Sequence, residues 1–231
     1  MTDSQRHFHE ELSQLKQRLL AVSSEAEDAV GHAVDALLRR DAARAQAVIH
    51  GDRTIDALET GIEEQGFQLI ALHQPMARDL RLIFSAIRIV TDLERVGDHA
   101  VNIAHSALRL MEYPHIVPEP EIVEMARLAR QMLGDALGAF VRGDAVLARD
   151  VCRRDDAVDA LNDSVYRILL TRMMEDHRLI GAGMELLLVS RNLERVADLA
   201  TNVAEGVVFL VEGKTIKHHA EDERAEPHPA P

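Results

Sequence analysis

The chain is poor in cysteine and in aromatic residues, and both shortages limit what it can be. Its 231 residues include one cysteine, Cys152, so no disulfide can form within the chain, and a reducing setting is expected. Tryptophan is absent and aromatic residues make up 3% of the chain, whereas 47% of the residues are hydrophobic. The core must therefore be built from Leu, Ile, Val, Ala and Met, a composition typical of helical bundles.

Long apolar runs and an excess of positive charge are also absent. No uncharged apolar stretch of about 18 residues is present, and the N-terminus lacks the apolar segment of a signal peptide. The formal net charge of −13 argues against general nucleic-acid binding and against adsorption to anionic lipid. The sequence therefore predicts a soluble, cytoplasmic protein with no membrane span and no nucleic-acid partner.

An internal repeat divides the chain into two halves. Residues 92–104 and 192–204 agree at eight of thirteen positions, and both keep the pattern Glu-x-x-x-Asp-x-x-x-Asn. An Asp-x-x-x-Asp pattern precedes each of these segments, at residues 52–56 and at residues 155–159. Repetition of this kind predicts two equivalent structural units.

Prolines and the spacing of apolar residues outline six helices. Apolar residues recur at intervals of three and four, as in amphipathic helices. The sequence thus predicts an all-α protein made of two tandem three-helix bundles, over residues 8–113 and 120–213, with a polar, disordered tail over 214–231. The six predicted helices cover residues 9–40, 43–73, 77–112, 120–142, 145–175 and 182–212.

The acidic pairs lie at the edge of the apolar stripe on their predicted helices. Residues four apart are separated by about 40° around a helix, so both members of a pair point the same way. In each half the two pairs are each about 20 residues from the turn that joins their helices, so antiparallel helices would hold them at one height. We expect one four-carboxylate cluster in each half. The predicted metal ligands are Asp52, Asp56, Glu94 and Asp98 in the first half, and Asp155, Asp159, Glu194 and Asp198 in the second.

Four carboxylates at one place need a counter-charge, because like charges a few ångströms apart repel each other. Arg95 and Arg195 would offset part of the charge, and the oxygen-rich ligand set suits magnesium, calcium, manganese or iron. The nearby His50, His99 and His105 would add nitrogen ligands and extend the choice to zinc. The alternative is a structural scaffold whose acidic residues are merely solvated. The duplication of the pairs favours metal binding.

Both acidic motifs resemble the duplicated signature of the PhoU family, which is associated with phosphate transport. The similar segments are residues 74–81, 93–100 and 192–202, and the likeness covers about residues 8–213. It implies two tandem three-helix bundles without catalytic activity. It also implies metal ions, often in multinuclear clusters, bound through the eight acidic residues named above.

The resemblance further implies a negative regulator of the phosphate-starvation response and of phosphate uptake. The expected partners are a phosphate-sensing membrane histidine kinase and the ATPase of the phosphate ABC transporter, and a homodimer is an expectation alongside a monomer. The alternative function is a carboxylate-bridged, metal-dependent hydrolase or redox protein on a helical bundle. The chain has neither a Gly-rich phosphate loop nor a nucleophile motif to support that alternative.

The two copies of the repeat also differ at positions near the acidic motifs. Leu199 stands where the first copy has His99, and Asn162 stands where it has Glu59. We therefore expect the two sites to differ in their ligands.

Overall fold

The computed structural model describes residues 3–114, 116–214 and 216, and every regular element among them is helical. All of the predicted tail except residues 214 and 216 lies outside the described residues. The six long helices are α1 (Asp3–Arg39), α2 (Ala42–His73), α3 (Ala77–Leu110), α4 (Pro120–Arg142), α5 (Ala145–Glu175) and α6 (Ile180–Glu212), and a short 3-10 turn, His177–Leu179, precedes α6.

The predicted all-α architecture of six helices is confirmed, and the boundaries that differ by two residues or more are the starts of α1 and α6 and the end of α3, at Leu110 rather than 112. α1 begins at residue 3 rather than 9, because nothing in this stretch breaks a helix and an ion pair between Arg6 and Glu10 at 3.1 Å supports its first turns. α6 begins at residue 180 rather than 182, since the 3-10 turn leads directly into it. No helix in the described part of the chain is long and apolar enough to cross a membrane.

The break between the first two helices of each half is built in the same way. Asp41 caps α2 by accepting a backbone hydrogen bond, and Asp144 caps α5 by accepting two. The residue before each cap is left-handed, with φ of 52° at Arg40 and 65° at Gly143. Glycine adopts this conformation at little cost, whereas the conformation is strained for arginine.

Arg40 has hydrogen bonds that compensate for its strained backbone. Its Nη2 donates to the carbonyl oxygens of Met111 and Tyr113, at 3.0 and 3.2 Å. These carbonyls follow the end of α3, so Arg40 connects the α1–α2 turn to the segment that links the two halves.

The outer helices α2 and α5 are held by narrow apolar stripes with matching spacing. In each helix the first five buried positions are separated by 3, 7, 7 and 4 residues, and the two sets differ by a constant 103. The buried positions are Ala45, Val48, Ile55, Ile62, Gly66 and Leu69 in α2, and Ala148, Val151, Val158, Val165 and Leu169 in α5.

The central helices α3 and α6 pack against each other and join the two halves. Each has 15 buried positions and packs against three other long helices. His99 Nδ1 lies 2.9 Å from Asn192 Oδ1, and Arg109 Nε lies 2.7 Å from Glu185 Oε1. The later residue of α3 contacts the earlier residue of α6, so the two helices are antiparallel. The hydrophobic core is one cluster with residues from all six helices.

Adjacent leucines in α5 provide a matched test of this packing. Leu169 is 1% exposed and Leu170 is 42% exposed. We expect Leu169→Ala to lower the free energy of unfolding by about 2–5 kcal/mol, because it leaves a cavity in the core. Leu170→Ala should lower it by less than about 1 kcal/mol. Urea denaturation of both variants measures the difference, and equal losses would contradict the described burial.

Candidate metal centres

The first acidic cluster lies where α2 packs against α3. Asp52 and Asp56 come from α2, and Glu94 and Asp98 come from α3. In each pair the earlier residue is half-buried and the later residue is exposed. The cluster therefore has a partly desolvated side and a side open to solvent, as expected for residues at the edge of an apolar stripe.

Gly97 lets the two helices approach closely at this cluster. A Cβ added at Gly97 would lie 3.0 Å from Ile55 Cδ1 and 3.2 Å from Asp52 Oδ1. Both distances are tighter than ordinary contacts, so a Cβ here would require the Ile55 and Asp52 side chains to shift by a few tenths of an ångström. The Asp52 carboxylate consequently lies against the backbone of α3, beside Asp98.

Burial and mutual repulsion raise the pKa values in the first cluster. Burial raises the pKa of Glu94 to about 7, and the charges of Asp98, Glu59, Asp56 and Asp52 add to the shift. The pKa of Asp52 is raised by burial and then by Asp56 and Asp98. The structure thus brings the four predicted side chains within electrostatic reach of one another.

Glu59 belongs to the first cluster, although the predicted ligand set omits it. Its charge contributes to the raised pKa of Glu94, and burial raises its own pKa. The sequence signal was its position seven residues, or about two turns, after Asp52. Its repeat counterpart, Asn162, instead accepts a hydrogen bond from the buried Ser190 Oγ at 2.5 Å. The two clusters therefore differ in composition.

The second cluster lies where α5 packs against α6 and has the same electrostatic character. Burial raises the pKa of Asp155 to about 7, and the charges of Asp198, Asp159, Asp156 and Glu194 add to the shift. Burial and the charge of Asp198 also raise the pKa values of Asp159 and Glu194. The four predicted side chains of the second half are likewise brought together.

The two signature arginines have different partners. Arg195 lies within its cluster, with Nη1 2.8 Å from Asp198 Oδ2 and Nε 3.6 Å from Glu194 Oε2. Arg95 Nη1 instead lies 3.7 Å from Asp92 Oδ1, outside the predicted ligand set. Within the described residues, Arg95 has no ion pair with the four predicted ligands of its half. The first cluster therefore has less nearby compensation of its charge.

The histidines considered as extra ligands have other contacts. His99 Nδ1 lies 2.9 Å from Asn192 Oδ1, so this side chain joins the two halves. His50 Nδ1 lies 2.6 Å from the carbonyl oxygen of Gln46, one turn earlier in α2. His105 lines a cavity between α3 and α6. None of these contacts involves a carboxylate of the acidic clusters.

Neither cluster is arranged as a finished metal site. Within residues 3–114, 116–214 and 216, no group of three or more His, Cys, Asp or Glu side chains converges closely enough to hold a metal ion. Metal binding by the eight acidic residues stays a prediction.

Comparison with known proteins agrees with the repeat and the fold. The family model described as the PhoU domain matches this chain twice, at residues 19–107 and 122–207. The chain belongs to the PhoU family. The two PhoU matches contain the two copies of the repeat, with one acidic cluster in each.

Curated PhoU relatives match nearly the whole chain. The "Phosphate-specific transport system accessory protein PhoU homolog" of Aquifex aeolicus strain VF5 is 40% identical, over 94% of this chain and 98% of the relative. The protein of the same name from Caulobacter vibrioides is 41% identical, over 90% of this chain and 91% of the relative.

Two solved PhoU structures share the fold. The crystal structure of PhoU from Pseudomonas aeruginosa aligns with a TM-score of 0.85 at 38% identity, covering 90% of this chain and all of that one. The crystal structure of the "phosphate transport system regulatory protein PhoU" from Streptococcus pneumoniae also aligns with a TM-score of 0.85. It is 30% identical, and the alignment covers 91% of this chain and 99% of that one.

The raised pKa of Glu94 predicts a pH-dependent stability without metal. The folded protein keeps the Glu94 proton up to about pH 7, whereas the unfolded chain loses it near 4.5. The folded state therefore binds more protons across this window, and this contribution to stability is lost as pH rises from about 4.5 to about 7. The side chain of the Glu94→Gln variant stays neutral at every pH. The melting temperature of this variant minus that of the original protein should therefore increase by a few degrees as the pH rises from about 4.5 to about 7.

Thermal melts in the presence of a chelator, at a series of pH values across this window, test the prediction. Glu64→Gln removes a carboxylate from an exposed position of α2 and serves as the matched control. A constant difference between Glu94→Gln and the original protein at every pH would show that Glu94 is not under the described repulsion.

Proposed function

We propose that this PhoU-family protein regulates phosphate transport and binds metal ions at its two acidic clusters. The observation that carries the metal proposal is that carboxylates of α2 and α3, and likewise of α5 and α6, lie close enough together to raise one another's pKa, to about 7 at Glu94 and at Asp155. Each is a partly desolvated member of its cluster, and the charges of neighbouring carboxylates add to the rise of its pKa. A bound cation would remove the repulsion and convert a destabilising arrangement into a ligand set.

The chemistry of the donors indicates which cations fit. Carboxylates supply the oxygen ligands that magnesium, manganese and iron prefer, and zinc also accepts them. In the first half, Asp52, Asp56, Glu94 and Asp98 would hold the metal, and Glu59 lies close enough to affect it electrostatically. In the second half Asp155, Asp159, Glu194 and Asp198 would do so, and Arg195 would have to release its two carboxylates.

The regulatory part of the proposal rests on the family. The curated relatives are named as accessory proteins of the phosphate-specific transport system. We propose that this chain likewise acts in phosphate transport, as a negative regulator of the phosphate-starvation response. It would act through contacts with a membrane sensor histidine kinase and with the ATPase of the phosphate ABC transporter, rather than by catalysis.

Metal analysis of paired variants tests the binding sites. The purified protein is stripped with a chelator, reloaded with manganese or iron, dialysed and analysed for bound metal. We expect the double change Glu94→Gln with Asp98→Asn to remove the metal of the first half, because it neutralises both α3 ligands. The double change Glu194→Gln with Asp198→Asn should remove the metal of the second half.

Amide replacements keep the side-chain volumes, so the fold should be retained in both double variants. Glu64→Gln is again the control, and it should bind as much metal as the original protein. Metal content that is the same in all four proteins would remove the clusters from the proposal, while leaving the regulatory role to be tested separately.

A reporter of the phosphate-starvation response tests the regulatory role. In cells that lack this protein we expect high reporter expression even when phosphate is plentiful, since a negative regulator is missing. Re-expression of the original protein should restore repression. Normal repression in the deletion strain would contradict the proposed role, whatever the metal content of the protein.

A further inference from the structure

A cavity at the contact between α3 and α6 has an unusual charge for this chain. Its volume is about 420 Å³, and it is lined by Arg109, Arg191, Arg195, His99 and His105 together with two asparagines. No aspartate or glutamate lies among its lining residues in the described structure. The whole chain, in contrast, has 39 acidic and 26 basic residues. The cavity is therefore locally basic, in contrast to the two acidic clusters.

Much of the positive charge lies at positions where the two copies of the repeat differ. An offset of 100 relates α3 to α6, so each cavity residue has a counterpart in the other helix. Five of the seven differences make the cavity more basic or less acidic, whereas Leu188 replaces Arg88 and Ser106 replaces Gly206. Arg191 stands in place of Thr91, Arg109 in place of Phe209, and His105 in place of Glu205.

Two of the cavity arginines are held in position by carboxylates. Arg109 Nε lies 2.7 Å from Glu185 Oε1, and its Nη2 donates to Ser106 Oγ at 3.0 Å. Arg195 is held by its cluster through Nη1. Arg191 has no ion pair within the described part of the chain and acts on Glu194 only at longer range. Its guanidinium is the least compensated charge of the cavity.

A polar contact fixes the wall of the cavity between the arginines. Asn192 Nδ2 donates to the carbonyl oxygen of Leu188 at 2.7 Å, which sets the orientation of its amide. The amide oxygen then accepts from His99 Nδ1 at 2.9 Å, so His99 carries a proton on this nitrogen. The repeat counterparts of these two residues are Asp92 and Leu199, which could not form the same pair.

We propose that this cavity binds a tetrahedral phosphate oxyanion, either inorganic phosphate or the phosphoryl group of a phosphomonoester. Planar guanidinium groups donate pairs of hydrogen bonds to such oxygens, and imidazole and amide N–H groups add further donors. Arg191 supplies the uncompensated positive charge, and Arg109 and Arg195, which are paired with carboxylates, add N–H donors. The volume also leaves room for the organic part of an ester. The proposal does not depend on metal at the acidic clusters.

Equilibrium dialysis of radioactive inorganic phosphate against the full chain tests the site. A chelator is present throughout, so phosphate held by a metal ion does not contribute. We expect a dissociation constant below about 1 mM. Arg191→Gln should weaken binding by about tenfold, because it removes a charge-assisted contact. His105→Glu should weaken it at least as much, and it installs the residue that the repeat already tolerates at position 205.

Arg88→Gln is the matched control, since it removes one exposed arginine of α3 that does not line the cavity. It should leave binding unchanged. Competition with phenyl phosphate distinguishes the two sources of the anion. If phenyl phosphate displaces inorganic phosphate at similar concentrations, phosphomonoesters also fit the site. If phenyl phosphate binds and inorganic phosphate does not, the ligand is a phosphoryl group carried by another molecule.

Two results would overturn the proposal. One is the absence of binding of both phosphate and phenyl phosphate to the folded protein at about 1 mM. The other is an equal loss of affinity in Arg191→Gln and Arg88→Gln, which would show that only the overall charge matters. Thermal melts of each variant confirm that the protein used in the dialysis is folded.

Discussion

Repulsion between carboxylates on neighbouring helices is the constraint that the structure has to balance. α2 and α5 are attached by narrow stripes of six and five buried positions, whereas α3 and α6 each have 15. The acidic pairs of the outer helices oppose those of the inner helices at the edge of these stripes. Hydrophobic contact therefore holds each outer helix while charge pushes it outward. The acidic clusters thus lie at the edge of the contact that attaches each outer helix to its inner helix.

The two halves keep this arrangement but have diverged around it. The first cluster has an additional carboxylate, Glu59, and the signature Arg95 pairs with Asp92. The second has Asn162 at the position of Glu59, and Arg195 lies against its carboxylates. Divergence is also concentrated at the contact of α3 with α6. Arg195 takes part in both regions, since it pairs with the second cluster and lines the basic cavity.

Local sequence patterns predicted the helices and the helix pairs that carry the acidic residues, but not the contacts between the two halves. The capped turns at Asp41 and Asp144 follow from residue type, and the acidic stripes follow from spacing along single helices. The contact of His99 with Asn192, in contrast, depends on how α3 crosses α6, which no periodicity within one helix specifies. The side-chain direction of Arg95 also depends on which of several nearby carboxylates it meets. Both the His99–Asn192 contact and the direction of the Arg95 side chain are therefore set by tertiary packing.

The matching apolar stripes of α2 and α5 have a consequence for folding. The buried positions of α2 and α5 have the same spacing, so each helix also matches the inner helix of the other half. Docking of α2 on α6, or of α5 on α3, would give a domain-swapped or misassembled chain. The connections between residues 39 and 42 and between residues 73 and 77 are short, so closing the correct pair requires little loss of chain entropy. The brevity of these turns, rather than the chemistry of the buried residues, therefore decides which helices become neighbours.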